Sequence, residues 1–475
     1  MSNQTKYDSF RQTYPEFVYE KYGYDVQPDG LHIVFKFRIG NDICFQPTAY
    51  IPNRSFLQFD QPDEVMDTLV FNIGMIELVS YWKCYCPPTV RVACGTLDDS
   101  QVAFWKKLYF QGLGEFFYTN GIHATMEDFM GIECLNESMS DCLHSNTQAL
   151  KHSSTQALKH SSTQAIKHSS NQAFYLVPIG GGKDSVVTLE LLTAQDNVHV
   201  TPLIMNPRGA TIGCVEAAGY RMDDVLVVHR CIDPLLLQLN SQGCLNGHTP
   251  FSAMLAFYTL LAAQLSGHGR IALSNENSAN ESTGVGTSVN HQYSKGLEFE
   301  NDFRRYVADH IPFGADYFSF LRPLSELQIA MLFSRQEKYF DVFRSCNAGS
   351  KQDIWCGQCA KCLFAYIILS PFIAPQRLNS IFGKNMLDDM TLKPFFDQLV
   401  GTEATKPFEC VGTISEVNSA LSMTLRRWYA DSRPALLRGY VAQPPTTPLD
   451  TLFPEHNLNH DELELLTRHV QTATI

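Results

Sequence analysis

Residues 174–192 read Phe174-Tyr175-Leu176-Val177-Pro178-Ile179-Gly180-Gly181-Gly182-Lys183-Asp184-Ser185-Val186-Val187-Thr188-Leu189-Glu190-Leu191-Leu192. The first six form a short, mostly apolar run of the kind found in a strand buried on both faces. The last seven read as a helix. Between them, three glycines let the backbone approach a polyanion, with N–H groups and a helix N-terminus pointed at it. Lys183 adds charge there, and the Ser185 hydroxyl adds a donor. The loop is neither Gly-x-x-x-x-Gly-Lys-Ser/Thr nor the dinucleotide-binding Gly-x-Gly-x-x-Gly. Working outward, similar runs recur at 198–205, 225–228 and 270–273, with helix candidates between them. The clearest helix has Thr249 as N-cap, Pro250 at its first position and Gly267 after its end. Strands alternating with helices predict a doubly wound parallel α/β sheet over residues 174–345. Ligands of such sheets sit at the carboxyl ends of the strands, so the residues after each run are the ones to read.

After the run ending at Leu273 come Ser274-Asn275-Glu276-Asn277-Ser278-Ala279-Asn280-Glu281-Ser282-Thr283. A solvated loop would have this composition. At a carboxyl edge it also supplies donors from Asn275 and its neighbours, and two carboxylates, Glu276 and Glu281, for Mg²⁺. A second polar cluster holds Asn290, His291 and Lys295, with Glu298, Glu300 and Asp302 behind them. Ser325-Glu326-Leu327-Gln328 then has the spacing of a capping box, which accounts for Ser325 and Gln328 without a catalytic role.

Cys346, Cys356, Cys359 and Cys362 make the strongest metal signal. Four thiolates at short spacing, with Gly357 allowing the turn, suit a tetrahedral structural Zn²⁺; ligand type alone also admits an iron–sulfur cluster. The other ten of the 14 cysteines read as small buried hydrophobes.

Octapeptides beginning at His144, His152, His160 and His168 repeat Ser, Thr, Gln and Lys around one or two small apolar residues. That is too little to build a core, so residues 141–173 are predicted to be a linker and not a histidine metal tract. Before it, apolar residues at every odd position of 31–39 predict a half-buried strand. A helical pattern after Asp99-Ser100 places Phe104, Trp105, Leu108, Tyr109 and Phe116 on one side, read as core and not as a ligand floor. Residues 1–140 are thus expected to form an α+β domain, and residues 346–475 the cysteine knuckle with a helical extension. The 475 residues carry 36 Lys+Arg against 49 Asp+Glu, a net charge of −13, which argues against a nucleic-acid-coating protein. No signal-peptide core and no run of ~18 apolar residues is present, so no membrane role and a cytoplasmic location are expected.

The glycine loop resembles the Ser-Gly-Gly-x-Asp-Ser loop of the PP-loop ATP pyrophosphatases, of adenine nucleotide alpha hydrolase-like fold, with Gly180 where that family usually has Ser. The resemblance implies that Gly180, Gly181, Gly182, Lys183, Asp184 and Ser185 cradle ATP, with Mg²⁺, and that AMP is transferred to a substrate oxygen. Some PP-loop enzymes, the deazaguanine nitrile synthases among them, also carry a four-Cys zinc site.

Longer phrases narrow the likeness. Asn290–Lys295, Leu321-Arg322-Pro323-Leu324-Ser325-Glu326-Leu327-Gln328, Phe343-Arg344-Ser345-Cys346-Asn347, Trp355–Phe364 and Lys406-Pro407-Phe408-Glu409-Cys410-Val411-Gly412 resemble the UDP-N-acetyl-α-D-muramoyl-L-alanyl-L-glutamate epimerases, the MurL family. That resemblance covers most of the chain outside the repeat. It implies ATP-dependent inversion of the terminal glutamate of a UDP-MurNAc-dipeptide in peptidoglycan precursor synthesis. His291 and Lys295 become candidates for proton transfer, with Glu298, Glu276 or a thiol as rivals, and Asp184 is needed for turnover. Asn290, Glu298 and Arg322 become candidates for substrate binding. The competing readings are a PP-loop ligase or sulfur transferase acting on tRNA or a deazaguanine-type base, and a zinc-stabilised nucleotide sensor without turnover.

Overall fold

The computed structural model describes residues 2–135, 172–280, 293–312, 315–403, 405–407, 409–446 and 448–474. The octapeptide tract, Asn290 and His291 lie outside the described residues. Before the repeat run β1 (Glu16–Gln27), β2 (Gly30–Ile39), β3 (Ile43–Phe45), β4 (Thr48–Pro52), β5 (Thr89–Val92) and β6 (Gly131–Cys134). After it run β7 (Ala173–Pro178), β8 (Val198–Met205), β9 (Leu226–Cys231), β10 (Arg270–Leu273) and β11 (Asp316–Ser319).

These strands form one sheet in the order β11-β10-β7-β8-β9-β4-β2-β1-β5-β6, with β3 beside β2. The five strands from β11 to β9 are parallel; the four apolar runs predicted β7, β8, β9 and β10, and β11 is an addition at the edge. Antiparallel pairing of β4 with β9 carries the sheet across into the strands that precede the repeat. The molecule is therefore a mixed α/β structure on one large sheet. In β2 the side chains alternate as expected, with Leu31, Ile33, Phe35, Phe37 and Ile39 all buried.

Alternate residues of the parallel strands feed two cores. Leu176, Leu203, Leu226 and Ile271 join one that holds the helices Asp63–Trp82, Asp99–Gly112, Phe251–Ser266 and Leu297–His310. Tyr175, Val177, Ile204 and Val227 join the other, with the C-terminal helices Ala360–Leu369 and Ile414–Trp428. Burial on both faces is why these strands read as continuous apolar runs. Trp105 is buried with its ring centroid 4.9 Å from that of Phe257, so the aromatics after Asp99 are core, as expected. A buried ion pair holds the seam: Arg230 of β9 donates twice to Glu77 at 2.6 and 2.7 Å, and Tyr258 donates to the same carboxylate at 3.0 Å. A charge this deep is tolerated only when paired and hydrogen-bonded in this way.

One expected cap moves. The helix after Thr249 begins at Phe251, with Pro250 at its N-cap, because the Thr249 hydroxyl instead accepts from the Lys83 ammonium at 2.6 Å. No described helix is long and apolar enough to cross a membrane.

Candidate active site

The strand order reverses between β7 and β10, since the chain leaves β7 toward β8 on one side and later returns to β10 on the other. In open α/β sheets the crevice at such a switch point is where ligands bind. The glycine loop follows β7, and the Ser274–Asn280 segment follows β10, so both flank this crevice.

Gly181 has φ +83°, and a Cβ there would lie 3.1 Å from the Ala210 backbone, so only glycine fits. Its carbonyl accepts from the Arg344 N–H at 2.7 Å, which ties the loop to the segment entering the cysteine cluster. Gly180 is exposed, with open space where a side chain would be. The Ser185 hydroxyl donates to the Gly182 carbonyl at 3.1 Å. The helix Lys183–Thr193 has no side-chain cap, whereas the next one, Gly209–Ala217, is capped by Asp353, which accepts from Gly209 N and Ala210 N at 2.9 Å each. The uncapped amides leave the glycine loop with donors suited to an anion.

Beside the loop lies a group of buried charges. The Lys183 ammonium is hydrogen-bonded to both Asp184 and Glu326, the latter the first residue of the helix Glu326–Phe333. Burial opposes the Lys183 charge, but the two carboxylates outweigh it and raise its pKa. Burial pushes Glu326 up to about 8, with Lys183 pulling against that rise and Asp184 adding to it. Asp184 is held low, because Lys183 and Lys361 together overcome the effect of burial. Glu416 accepts from the Glu326 N–H at 2.8 Å while closing its own capping box with Thr413. The Ser325–Gln328 capping box is present as expected.

Lys295 donates to the Cys410 sulfur at 3.1 Å. Burial works against its charge, and Cys410 and Glu276 outweigh it and raise its pKa. Two contacts hold Cys410 in place: the Lys361 ammonium donates to the Cys410 carbonyl, and the Lys361 N–H donates to Glu409 at 2.7 Å. Glu115 faces the same region, with its carboxylate 3.2 Å from His248 Nδ1; burial and the neighbouring Cys410 push it up to about 7.

Arg322 is fully buried and organises the backbone of this crevice. Its guanidinium donates to the Glu276 carbonyl at 2.6 Å, to the Lys295 carbonyl, and to Glu300 at 3.2 Å. Asn275 donates to the Ser319 hydroxyl at 3.0 Å, and Glu276 accepts from Ser278 at 3.3 Å. Glu298 stands apart from these groups, exposed and paired with Lys107 at 2.6 Å.

The four cysteines 346, 356, 359 and 362 converge, with all sulfurs within 4.8 Å of one another. The separations of 3.8 Å (346–359), 3.7 Å (356–362) and 3.5 Å (359–362) are far too long for disulfides. They match the edge of about 3.8 Å expected of a tetrahedron with Zn–S bonds of about 2.3 Å. Backbone N–H groups point at the sulfurs as well, Gly349 to Cys346 at 3.1 Å and Cys362 to Cys359 at 3.4 Å. The donor set therefore fits a metal ion.

Sequence reasoning missed Glu326, Lys361 and Glu416. Glu326 sits between the two capping residues that explained its segment, and Lys361 lies inside the cysteine knuckle. Cys410 was quoted only as part of a phrase. Each is placed by contacts more than 40 residues distant in sequence, which no local pattern records.

Comparison with known proteins gives a consistent picture. Family models described as MurL N-terminal domain and MurL C-terminal domain match residues 9–320 and 342–450. A protein of Xanthomonas oryzae pv. oryzae named UDP-N-acetyl-alpha-D-muramoyl-L-alanyl-L-glutamate epimerase is 32% identical over 428 residues, 88% of this chain and 87% of that protein. Relatives of the same name from Micromonospora sp. and Salinispora tropica are each 40% identical over 254 residues, 52% of this chain and 56% and 55% of theirs.

Proposed function

The chain belongs to the MurL family, and from that premise we propose that it inverts the terminal L-glutamate of UDP-MurNAc-L-Ala-L-Glu to D-glutamate, using ATP and Mg²⁺. The observation that carries the reading is the likeness to the Xanthomonas epimerase over nearly the whole length of both chains. The requirement for ATP follows from acidity. Beside a free carboxylate, a Cα–H is a very poor acid, because deprotonation would place a second negative charge on the same group. Transfer of AMP to a carboxylate oxygen removes the first charge and gives the developing enolate an acyl oxygen on which to delocalise. A base removes the Cα proton, a proton returns on the opposite face, and water releases AMP.

A PP-loop role for Gly180–Ser185 is supported by the position of the loop at the switch point, by its uncapped amides and by the left-handed Gly181. Asp184, Asn275 and Glu276 face the same crevice as groups for the nucleotide and its Mg²⁺. Proton transfer is assigned to the Lys295 side of the crevice, and Arg322 keeps that side in shape through the carbonyls of Glu276 and Lys295. The four cysteines would hold a Zn²⁺ that serves as a structural clasp.

Incubating the full chain with ATP, Mg²⁺ and UDP-MurNAc-L-Ala-L-Glu in D₂O tests the proposal. The expected result is AMP, pyrophosphate and deuterium at the glutamate Cα. Pyrophosphate without Cα deuterium would sink the deprotonation mechanism, and no pyrophosphate would sink the adenylation.

A further inference from the structure

We propose that Cys410 is the group that exchanges the Cα proton, with Lys295 as its positioning partner; this rests on the epimerase reading above. Three observations lead there. Cys410 is the only group to which the Lys295 ammonium donates among the described residues, at 3.1 Å, so the lysine is committed to the sulfur. A thiolate is the proton-accepting form of cysteine, and a neighbouring ammonium is a usual source of its counter-charge. Cys410 is also partly open, unlike the metal-cluster residues Cys346 and Cys362, and the Lys295 ammonium it meets is itself flanked by Glu276 and Asp184.

Its anchoring is unusual for a structural thiol. The segment from Glu409 to Cys410 is pinned on both sides by Lys361, once through the Cys410 carbonyl and once through the Glu409 carboxylate. Lys361 stands between two of the cluster cysteines. The knuckle therefore fixes the backbone of Cys410 while its side chain turns to Lys295. A sulfur held so firmly from its backbone and bonded to a cation at its tip is preorganised for one proton-transfer geometry.

In the proposed step a lone pair on the Cys410 sulfur takes the Cα proton of the peptidyl adenylate and forms S–H. The C–H electron pair moves into the Cα–acyl bond, and the acyl oxygen takes the charge. A water molecule on the other face of Cα gives up a proton to complete the inversion, and the hydroxide so formed is neutralised by the thiol proton through solvent, which restores the thiolate. No oxidant or reductant is needed.

The test compares two half-reactions of the full chain with ATP, Mg²⁺ and UDP-MurNAc-L-Ala-L-Glu: single-turnover pyrophosphate release and deuterium entry at Cα. In Cys410→Ala and Cys410→Ser, deuterium entry should fall by about 10²–10⁴-fold more than pyrophosphate release falls. The serine variant keeps the size of the site, and its melting temperature guards against misfolding. Lys295→Met should lower deuterium entry well beyond its effect on pyrophosphate release, and Lys295→Arg should restore it. Equal losses in both half-reactions, or deuterium entry in Lys295→Arg no better than in Lys295→Met, would overturn the assignment. A wild-type chain that releases no pyrophosphate or takes up no deuterium would overturn the epimerase reading itself, and with it this inference.

Discussion

Glu326 shows how one buried carboxyl can be assigned a protonation state from its neighbours. Between Lys183 and Asp184 there is already one positive and one negative charge, so a second carboxylate would be in excess. With Glu326 pushed up to about 8 by burial, the trio is neutral at pH 7. A carboxyl raised above its ordinary 4.5 binds its proton more tightly in the folded state. Its contribution to stability is therefore full below pH 4.5, declines as pH rises toward about 8, and is level above that. Asp184 is shifted down from 3.8 and Lys183 up from 10.5, so neither contributes a slope between pH 5 and 9. Glu326→Gln keeps the shape of the protonated acid and should remove the decline. Melting temperatures of wild type and variant should agree near pH 5 and separate by pH 8, with the variant higher. Parallel curves would mean that Glu326 is ionised throughout. The residues legible in sequence were those whose chemistry is local. Gly181 was visible because a left-handed turn needs glycine, and the four cysteines because knuckle ligands are spaced by geometry. Glu326 was hidden because its meaning comes from Lys183, 143 residues earlier.

At the scale of elements, the bounds of β8 and β10 were readable to the residue because their buried stretches are mostly apolar, although His199 of β8 is exposed and Arg270 opens β10. β11 was not, because Asp316-Tyr317-Phe318-Ser319 is short, polar at both ends and sits at the sheet edge. The helix Ala360–Leu369 is buried along its whole length, yet its N-terminus is built from metal-type ligands: Cys359 is its N-cap and accepts from Cys362 N. A metal ion held by the four cysteines would fix both the helix and, through Lys361, the Cys410 segment. Cys359→Ser should abolish binding of a zinc ion that the wild type retains through gel filtration, as read by elemental analysis. Isolated zinc knuckles owe about 10–16 kcal/mol to the metal. Here the surrounding core holds the helix as well, so the loss should lower the melting temperature without unfolding the chain. Even ~3 kcal/mol would be roughly 3 °C for a chain of 475 residues unfolding as one unit, at an unfolding entropy of about 2.1 cal/mol/K per residue. EDTA should produce the same fall in wild type and none in the variant. Full stability in the metal-free protein would count against a structural zinc.

For the molecule as a whole, the sheet order sets a limit on how far the repeat can be shortened. β6 is the last strand at one edge, and β7 lies seven places away in the sheet. The pairings make β6 antiparallel to β7, so the end of β6 and the start of β7 are on the same edge of the sheet. Seven steps of about 4.8 Å put them roughly 34 Å apart along a flat sheet, and twist brings the chord somewhat below that. Between them lie residues 135–172, which is 38 residues. An extended chain covers at most about 3.3–3.6 Å per residue, so some 10 residues are the least that can make the crossing. Deleting 144–159, two copies of the octapeptide, leaves 22 residues and a reach of about 73–79 Å. That variant should keep its melting temperature and its turnover with UDP-MurNAc-L-Ala-L-Glu, because loop-closure entropy changes only slowly with length. Deleting 136–167 leaves six residues and a reach of about 20–22 Å, which cannot join the two strands. Either β6 must then leave its place beside β5 or β7 must leave the centre of the sheet. Since β6 is a four-residue edge strand and β7 carries the glycine loop, β6 is the one expected to detach. The longer deletion should therefore lower the melting temperature while leaving pyrophosphate release measurable. Loss of activity in the shorter deletion, with the melting temperature unchanged, would mean that the repeat does more than connect.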